Sequence, residues 1–533
     1  MREHSRRHVL TGAAAVAAGL GVGGGVVGAG TAGADPARAA AAGEPDLGPV
    51  SVVPSDPRYP DLVQRGHKRF VGSPDVVRVV GSTDQVVQAV GDAVRAGKRL
   101  AVRSGGHCFE DFVDSPDVRF VIDLSGMTDV YFDPARGAFA VEGGAPLDEV
   151  YRRLFLGWNV TLPAGWCPKV GVGGHVAGGG YGTLSRQHGL AADHLYAVEV
   201  VVVDRSGSAR AVVATREASD PNRDLWWAHT GGGGGSFGVV TRYWFRSPNA
   251  TGTDPGSLLP APPPTVLNFT AEWSWADFDA ARFTRFVRNH GEWCAANAAA
   301  GSPASRYYAE LVLVRQAYGK HAMLGQASGP DAGRLLDEHL AALSAGVAAP
   351  TAVTRTEQPW LSAVYAGPNN TKLYRLKVKS GYLVRPFTDA QSAAIYHHLT
   401  RTDYSGIGGS IGIAAYGGAI NAVAPDATAT SHRDAIARLL YSAPWLDPAE
   451  DAEHLAWIRA FYADVYAASG GVPAPEEGAY INYCDADLAD PAHNTSGMPW
   501  STLYFGANYP RLQRAKARWD PLNVFRHQLS VRP

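Results

Sequence analysis

Residues 163–182 read Pro163-Ala-Gly-Trp-Cys167-Pro-Lys-Val-Gly171-Val172-Gly173-Gly174-His175-Val-Ala-Gly178-Gly179-Gly180-Tyr181-Gly182, with seven glycines in the last twelve positions. The run is no Walker loop, which needs G-K-[ST], and no dinucleotide turn, which needs G-x-G-x-x-G between a strand and a helix. One Cys and one His fall short of the four ligands of structural zinc. Flexible linkers are Gly/Ser-rich and polar, whereas this run carries Trp166, Cys167, Val170, Val172 and Tyr181. What remains is backbone that must pass very close to something else, with N–H groups freed to cup an anion such as a pyrophosphate.

Two further glycine blocks have the same character. Arg103-Ser104-Gly105-Gly106-His107 follows a β-rich run at 99–103, and its His is a surface turn residue, a ligand, a base or an attachment point. Residues 224–238, DLWWAHTGGGGGSFG, end in a G-x-G-x-x-G match at 233–238. Val239 and Val240 open a strand there, where the dinucleotide fold needs a helix, so close approach to a ligand is the reading left for Gly238, Val239 and Val240.

The same pattern occurs twice near the N-terminus, at 23–28 and 28–33, within a segment that reads as an address. Residues 1–34 open on MREHSRRHVL, with Arg6 and Arg7 paired, and continue as an Ala/Gly/Val run. A charged start, a weakly apolar stretch and small residues before a cut make a signal peptide, and the twin arginines predict a bacterial export route that carries folded, cofactor-loaded proteins. The stretch is too glycine-diluted for a membrane anchor. Cleavage falls after Ala34 or nearer Ala42.

Composition sets the outer limits. The chain has 533 residues, 46% of them hydrophobic, so its bulk can offset the entropy of ordering. Its 48 Lys+Arg against 50 Asp+Glu leave no basic excess for nucleic acid or an anionic membrane. Four cysteines are too few for a disulfide scaffold. From residue 76 strands and helices alternate: strands at 77–80, 99–103, 120–123, 138–142, 197–204 and 239–245, and helices at 83–96 and 146–156. The Pro-rich stretch 249–265 marks a domain boundary. Beyond it, helices at 276–292, 333–345 and 388–400 and strands at 311–314 and 411–416 predict an antiparallel sheet with helices on one face, an α+β layer.

Taken together, RSGGH at 103–107, the block at 163–182, DLWWAHTGGGGGSFGVVT at 224–241 and a terminal WDPLNVFRH at 519–527 resemble the berberine-bridge-enzyme-like flavin oxidases of the vanillyl-alcohol-oxidase superfamily, over essentially all of the chain from residue 50. The sugar-oxidising bacterial members are the nearest in pattern. The resemblance implies a two-domain PCMH-type FAD-binding fold: an FAD-binding part at 50–250, a substrate-binding domain at 251–504, and a tail at 505–533 returning to the first. It implies FAD bound through Arg103 to His107, Val172 to His175, Gly178 to Tyr181, Gly238 to Val240, Asn482 and Tyr483, with His107 bonded to the flavin 8α-methyl and Cys167 to C6. No metal is implied.

The YxNYxD motif at Tyr480-Ile-Asn482-Tyr483-Cys-Asp485 is, in the family, the source of the catalytic base. Read as a strand, 480–483 would send Tyr480 and Tyr483 to opposite faces, so only one could face the flavin, and Tyr483 is the first choice. Tyr416 sits where the family has a second active-site tyrosine. The implied chemistry removes a proton from a hydroxyl of a sugar or glycosylated natural product while hydride passes to flavin N5 and O2 takes the electrons, giving hydrogen peroxide. An ordinary tyrosine titrates near 10, so a neighbouring positive charge is expected, with Lys377 or Arg375 as its source. Trp273, Trp275, Trp360, Tyr365 and Tyr382 are candidates for stacking on substrate rings or for core packing. Oxidative ring closure in natural-product tailoring is the alternative enzyme reading. A non-catalytic secreted flavin- or glycan-binding protein is the alternative from another class.

Overall fold

The computed structural model describes residues 47–368 and 374–533. The export segment at 1–34 therefore lies outside the described residues. The N-terminal half follows the alternation in the sequence. Strands Val76–Val79 and Leu100–Arg103 both pair in parallel with Phe120–Asp123. The connecting helix, Thr83–Arg95, starts where Ser82 accepts from the Gln85 N–H. Val86, Ala89, Val90 and Ala93 of its inner face are buried against this small sheet. A second, antiparallel sheet of five strands follows, in the order Val130–Asp133, Ala138–Glu142, Val239–Phe245, Leu195–Val203, Ala209–Thr215. The first and last glycine blocks thus hang from the ends of Leu100–Arg103 and Val239–Phe245, and the central block lies in the chain between Ala138–Glu142 and Leu195–Val203 of the second sheet.

The C-terminal half is built on one seven-stranded antiparallel sheet, in the order Ala352–Pro359, Thr265–Ser274, Lys320–Ser328, Tyr307–Val314, Ser410–Ala415, Ala437–Trp445, Arg375–Leu383. Helices Ala280–Ala296, Ala332–Ser344, Asp389–Thr400 and Asp451–Val465 cover one face. Side chains alternate across a pleated strand, so Tyr307, Ala309, Leu311 and Leu313 pack under the helices together with Ala437, Leu439, Tyr441 and Ala443. Tyr308, Glu310, Arg438 and Leu440 point the other way, toward the N-terminal half. The helix expected over 276–292 begins only at Ala280, because Trp275–Asp277 forms a 3-10 turn and Asp279 accepts from Arg282 N–H to cap the true start.

The tail completes the first half. Helix Tyr509–Trp519 packs on Arg223–Ala228. The fully buried Lys516 ammonium donates to the Ser236 and Phe525 carbonyls at 2.7 and 2.6 Å and pairs with Asp520 at 2.5 Å. Breaking one member of such a buried pair costs about 3–5 kcal/mol, which fixes the last glycine block to the tail.

Candidate active site

The three glycine blocks meet at one cavity of ≈ 370 Å³ between the halves, within the range of about 300–1,000 Å³ common to cofactor sites. Of the residues expected to hold FAD, Arg103 to His107, Cys167, Gly173 to His175, Tyr181, Gly238, Val240, Asn482 and Tyr483 line it. Val172, Gly178, Gly179, Gly180 and Val239 do not; they sit behind the wall.

Most of the central glycines turn out to be required by neighbouring protein atoms, backbone or side chain, not by a ligand. A Cβ on Gly105 would lie 2.3 Å from the Gly171 nitrogen, and one on Gly182 only 1.6 Å from the Ala164 carbonyl oxygen. Gly178 is needed because Asn482 Oδ1 stands 2.1 Å from where its Cβ would be. The exceptions are informative. Nothing lies within 4 Å of a Cβ placed on Gly174, and one on Gly234 would have the Gly174 Cα as its nearest neighbour, at 3.7 Å. Gly174 therefore borders open space with no side chain of its own, while Gly234 runs close beside it, so backbone lines this part of the wall, as close approach of a flat or anionic group requires.

His107 and Cys167 are brought to the same wall by that Gly105–Gly171 contact. The His107 ring hydrogen-bonds the Lys169 backbone, two residues beyond Cys167, and burial holds its pKa down at about 4. Its imidazole is therefore neutral at pH 7, with a ring lone pair open to bonding. His175 is also held at about 4 by burial, and its Nε2 accepts from Gly165 N–H at 2.9 Å. It ties the two ends of the central block together.

The opposite wall is made by the sheet and by the segment after it. Residues 480–483 form a turn and not a strand, with Tyr483 N–H donating to the Tyr480 carbonyl at 2.9 Å. The expectation that the two tyrosines face opposite ways is therefore corrected: a turn returns i and i+3 to one side, and their rings meet edge to face at 5.2 Å. Both line the cavity. Asn482 Nδ2 donates to the Tyr480 hydroxyl and to the His175 carbonyl, each at 2.9 Å, linking the turn to the central block. Tyr416 is placed off the cavity wall. It is buried behind Tyr181, stacked on it at 5.2 Å, and packs edge to face with Tyr382 at 5.3 Å.

The positive charge comes from a residue that sequence reading missed. Register places Leu324, Glu310, Ala414, Arg438 and Tyr382 side by side across five strands. Ala414 separates Glu310 from Arg438, whose backbones lie about 9.6 Å apart at two strand spacings, and is itself packed among Tyr181, Tyr308 and Tyr382. The Arg438 guanidinium lies over the rings of Tyr181 at 4.2 Å, Tyr483 at 4.6 Å and Tyr480 at 5.4 Å. Burial pushes the Tyr483 phenol up to about 12, with Arg438 as the strongest opposing influence. Burial also raises the Glu310 carboxyl against the pull of Arg438, and this carboxylate accepts from the Tyr308 hydroxyl at 3.0 Å.

Lys377 and Arg375, proposed from sequence for this charge, are committed elsewhere. Lys377 pairs with Asp485 at 2.6 Å and with Glu110; burial opposes its charge, but these carboxylates and Asp487 outweigh it. Arg375 pairs with Asp451. Both belong to strand Arg375–Leu383, and their side chains reach past its edge to the first half and the last long helix. The expected stacking aromatics are displaced in the same way. Trp273 and Trp275 are buried under the helices on the far side of the sheet, Trp360 packs on Tyr151 and Phe155 of the N-terminal half, Tyr365 is exposed, and Tyr382 stacks on His432. Trp166, Tyr181 and Tyr308, with Phe109, Phe112 and the tyrosines of the 480–483 turn, are among the aromatic residues that the cavity does present.

FAD is the group this fold implies, and the residues fit it on two counts: a stretch of bare backbone at Gly174 open to the cavity, and a neutral imidazole and a thiol on one wall opposite two phenols and a guanidinium. Comparison with known proteins agrees. Residues 74–209 match the FAD binding domain family and residues 479–532 the berberine and berberine-like family. The chain is 54% identical to aclacinomycin-N/aclacinomycin-A oxidase of Streptomyces galilaeus over 91% of its own length and 90% of that protein's. It is 32% identical to hexose oxidase of Chondrus crispus, over 89% and 93%. A crystal structure of a glycopeptide hexose oxidase complexed with teicoplanin superposes with a TM-score of 0.88 at 51% identity, covering 92% of this chain and all of that one. A chain with this cavity, this pair of family matches and this extent of likeness belongs to the berberine-bridge-enzyme-like, FAD-linked oxidoreductases.

Proposed function

We propose that the protein is an exported oxidase acting on a hydroxyl of a sugar or glycosylated natural product, with FAD tethered at His107 and Cys167 and O2 as the electron acceptor. The observation that carries the reading is the facing pair of walls: His107 and Cys167 on one side, Tyr483 under Arg438 on the other. FAD, when bound, supplies a two-electron acceptor for the hydride of the substrate carbon and passes those electrons to O2, giving hydrogen peroxide. The protein's own part is binding, orientation and one proton transfer. Tyr483, as the phenolate, takes the hydroxyl proton, and Arg438 stabilises that phenolate before the transfer. Tyr480, held by Asn482, fixes the turn that presents Tyr483. Glu310 and Tyr308, on the cavity wall, offer polar atoms to further hydroxyls of a glycoside, while Trp166 and Tyr181 exclude water beside them.

Names of the relatives, which include an aclacinomycin oxidase and hexose oxidases, favour a sugar or a glycosylated antibiotic as the substrate class. Two tethers leave the cavity free to open for a bulky glycoside without loss of FAD. A peroxide-coupled screen of monosaccharides, oligosaccharides and natural-product glycosides is expected to give one peroxide for each carbonyl formed. Carbonyl product without peroxide would refute O2 as the acceptor. On acid precipitation the yellow colour is expected to stay with the pellet, and colour in the supernatant would end the tether reading.

Arg6 and Arg7 carry the export reading. Changing both to Lys is expected to retain the active, flavin-loaded protein inside a bacterial host that otherwise releases it to the medium. Undiminished release of the double variant would count against the twin-arginine route.

A further inference from the structure

Two of the four cysteines stand together at the cavity and have no part in the chemistry above. Cys108 follows His107 directly and Cys484 follows Tyr483 directly. Their sulfurs are 3.8 Å apart, although 376 positions separate them in the chain. Both line the cavity wall, Cys108 half-buried and Cys484 4% exposed.

The two thiols are chemically unequal. The Cys484 thiol hydrogen-bonds Cys108 and is the chief influence holding the Cys108 pKa below the ordinary thiol range, with burial opposing. The nearby Arg65 charge and the Glu110 backbone also lower it, while the Glu110 carboxylate works against them. Arg65 is fixed in place, donating to the Cys108 and Glu110 carbonyls at 2.6 and 3.2 Å and pairing with Asp114. Cys484 is raised by the same hydrogen bond and by burial. Attack by sulfur requires an accessible thiolate, and Cys108 is the less buried of the two and lies beside the Arg65 guanidinium, so it is the nucleophile of the pair and Cys484 its resolving partner. Cys294 gives an internal contrast: burial beneath the sheet's helices pushes it up to about 12.

We infer that Cys108 and Cys484 form a peroxide-sensitive dithiol whose oxidation staples the loop carrying His107 to the turn carrying Tyr483. In the first step the Cys108 thiolate attacks hydrogen peroxide; an S–O bond forms, the O–O bond breaks, and the departing hydroxide takes a proton to leave as water. In the second step the Cys484 sulfur attacks the Cys108 sulfenic acid; the S–S bond forms, the S–O bond breaks, and the hydroxyl leaves as a second water with the Cys484 proton. Both thiols are oxidised by one electron pair, and the peroxide is reduced to two waters. The sulfurs must approach by about 1.8 Å to reach bonding distance, within the reach of side-chain rotation. The closed staple joins the two halves where one carries the proposed flavin attachment and the other the proposed base.

The test uses the holoenzyme, reduced with a phosphine, desalted, and exposed to hydrogen peroxide without substrate. Added peroxide takes the place of turnover, so the outcome is independent of whether the protein makes peroxide. After alkylation and digestion without reductant, a peptide pair joined through Cys108 and Cys484 is expected. Thiols titratable in denaturant are expected to fall by two, and both losses reverse on renewed reduction. In Cys484→Ser, a cyclic 1,3-dione that captures sulfenic acids is expected to label Cys108 and not Cys294. Wild-type protein in which both cysteines are still alkylated after peroxide overturns the inference, and this arm needs no variant to fold. Joining of either cysteine to Cys294 instead overturns it equally.

Discussion

Tyr483→Phe is expected to lower kcat by about 10²- to 10⁴-fold, the range that removal of a positioned proton acceptor covers, while flavin content and absorbance stay at wild-type levels. The phenol oxygen is all that the change deletes; the ring keeps its edge-to-face packing on Phe109 at 5.8 Å and on Tyr480 at 5.2 Å. Binding of the substrate rests on the rest of the wall, so KM is expected to move much less than kcat. Tyr480→Phe is the control. It removes the hydroxyl that accepts from Asn482 and leaves Tyr483 in place, so its loss is expected to be smaller. Steady-state peroxide production by the two variants decides between them. Equal rates for wild type and Tyr483→Phe, with Tyr480→Phe inactive, would move the role of base to Tyr480.

How far the sequence carries to this point differs between the halves. Helix Thr83–Arg95 has its cap, its apolar stripe and its stop written in consecutive residues, so it is legible locally. The same holds for the family motifs, since their glycines and His107 and Cys167 lie within short segments. Only two of the seven strands of the large sheet, 311–314 and 411–416, are among the sequence expectations, although residues 267–274 and 374–379 also carry the polar-apolar alternation of a strand. Strand Arg375–Leu383 carries two lysines inward to buried carboxylates, and Lys320–Ser328 is rich in small residues. What the local pattern does not show is that these lysines are buried, since their carboxylate partners come from distant segments.

Arg438 is the clearest case of information held only in register. It stands alone in an apolar stretch, and its importance comes from pairing with Ala414 on one side and Tyr382 on the other. The turn at 480–483 is another. Its motif was recognised, yet a strand-like reading separated two tyrosines that the fold brings to the same wall. A charged residue isolated within an otherwise apolar run was the one signal available for Arg438, since such a group is rarely buried without a partner.

Arg438→Leu is expected to reduce kcat/KM at neutral pH by about 30-fold, the equivalent of about 2 kcal/mol for a desolvated cation over an aromatic ring. The sign of the accompanying pH effect follows from the state of Tyr483. Burial holds its phenol up at about 12, so at neutral pH the proton-accepting form is scarce. Activity therefore rises with pH through the alkaline range. Arg438 favours the charged phenolate, and its removal raises the Tyr483 pKa further. The rising limb is expected to move upward by about 1.5 pH units, since each unit corresponds to about 1.36 kcal/mol. Loss of the guanidinium also leaves Glu310 without its main counter-charge, and the carboxyl is then expected to stay protonated over a wider range. Arg438→Lys separates charge from shape: an ammonium there is expected to restore much of the limb's position, although it lacks the flat guanidinium that covers three rings at once. The measurement is kcat/KM against pH for wild type and both variants, with flavin absorbance as the check on folding. A limb that does not move in Arg438→Leu, in protein that is folded and carries flavin, would mean that Arg438 packs the tyrosines without tuning them.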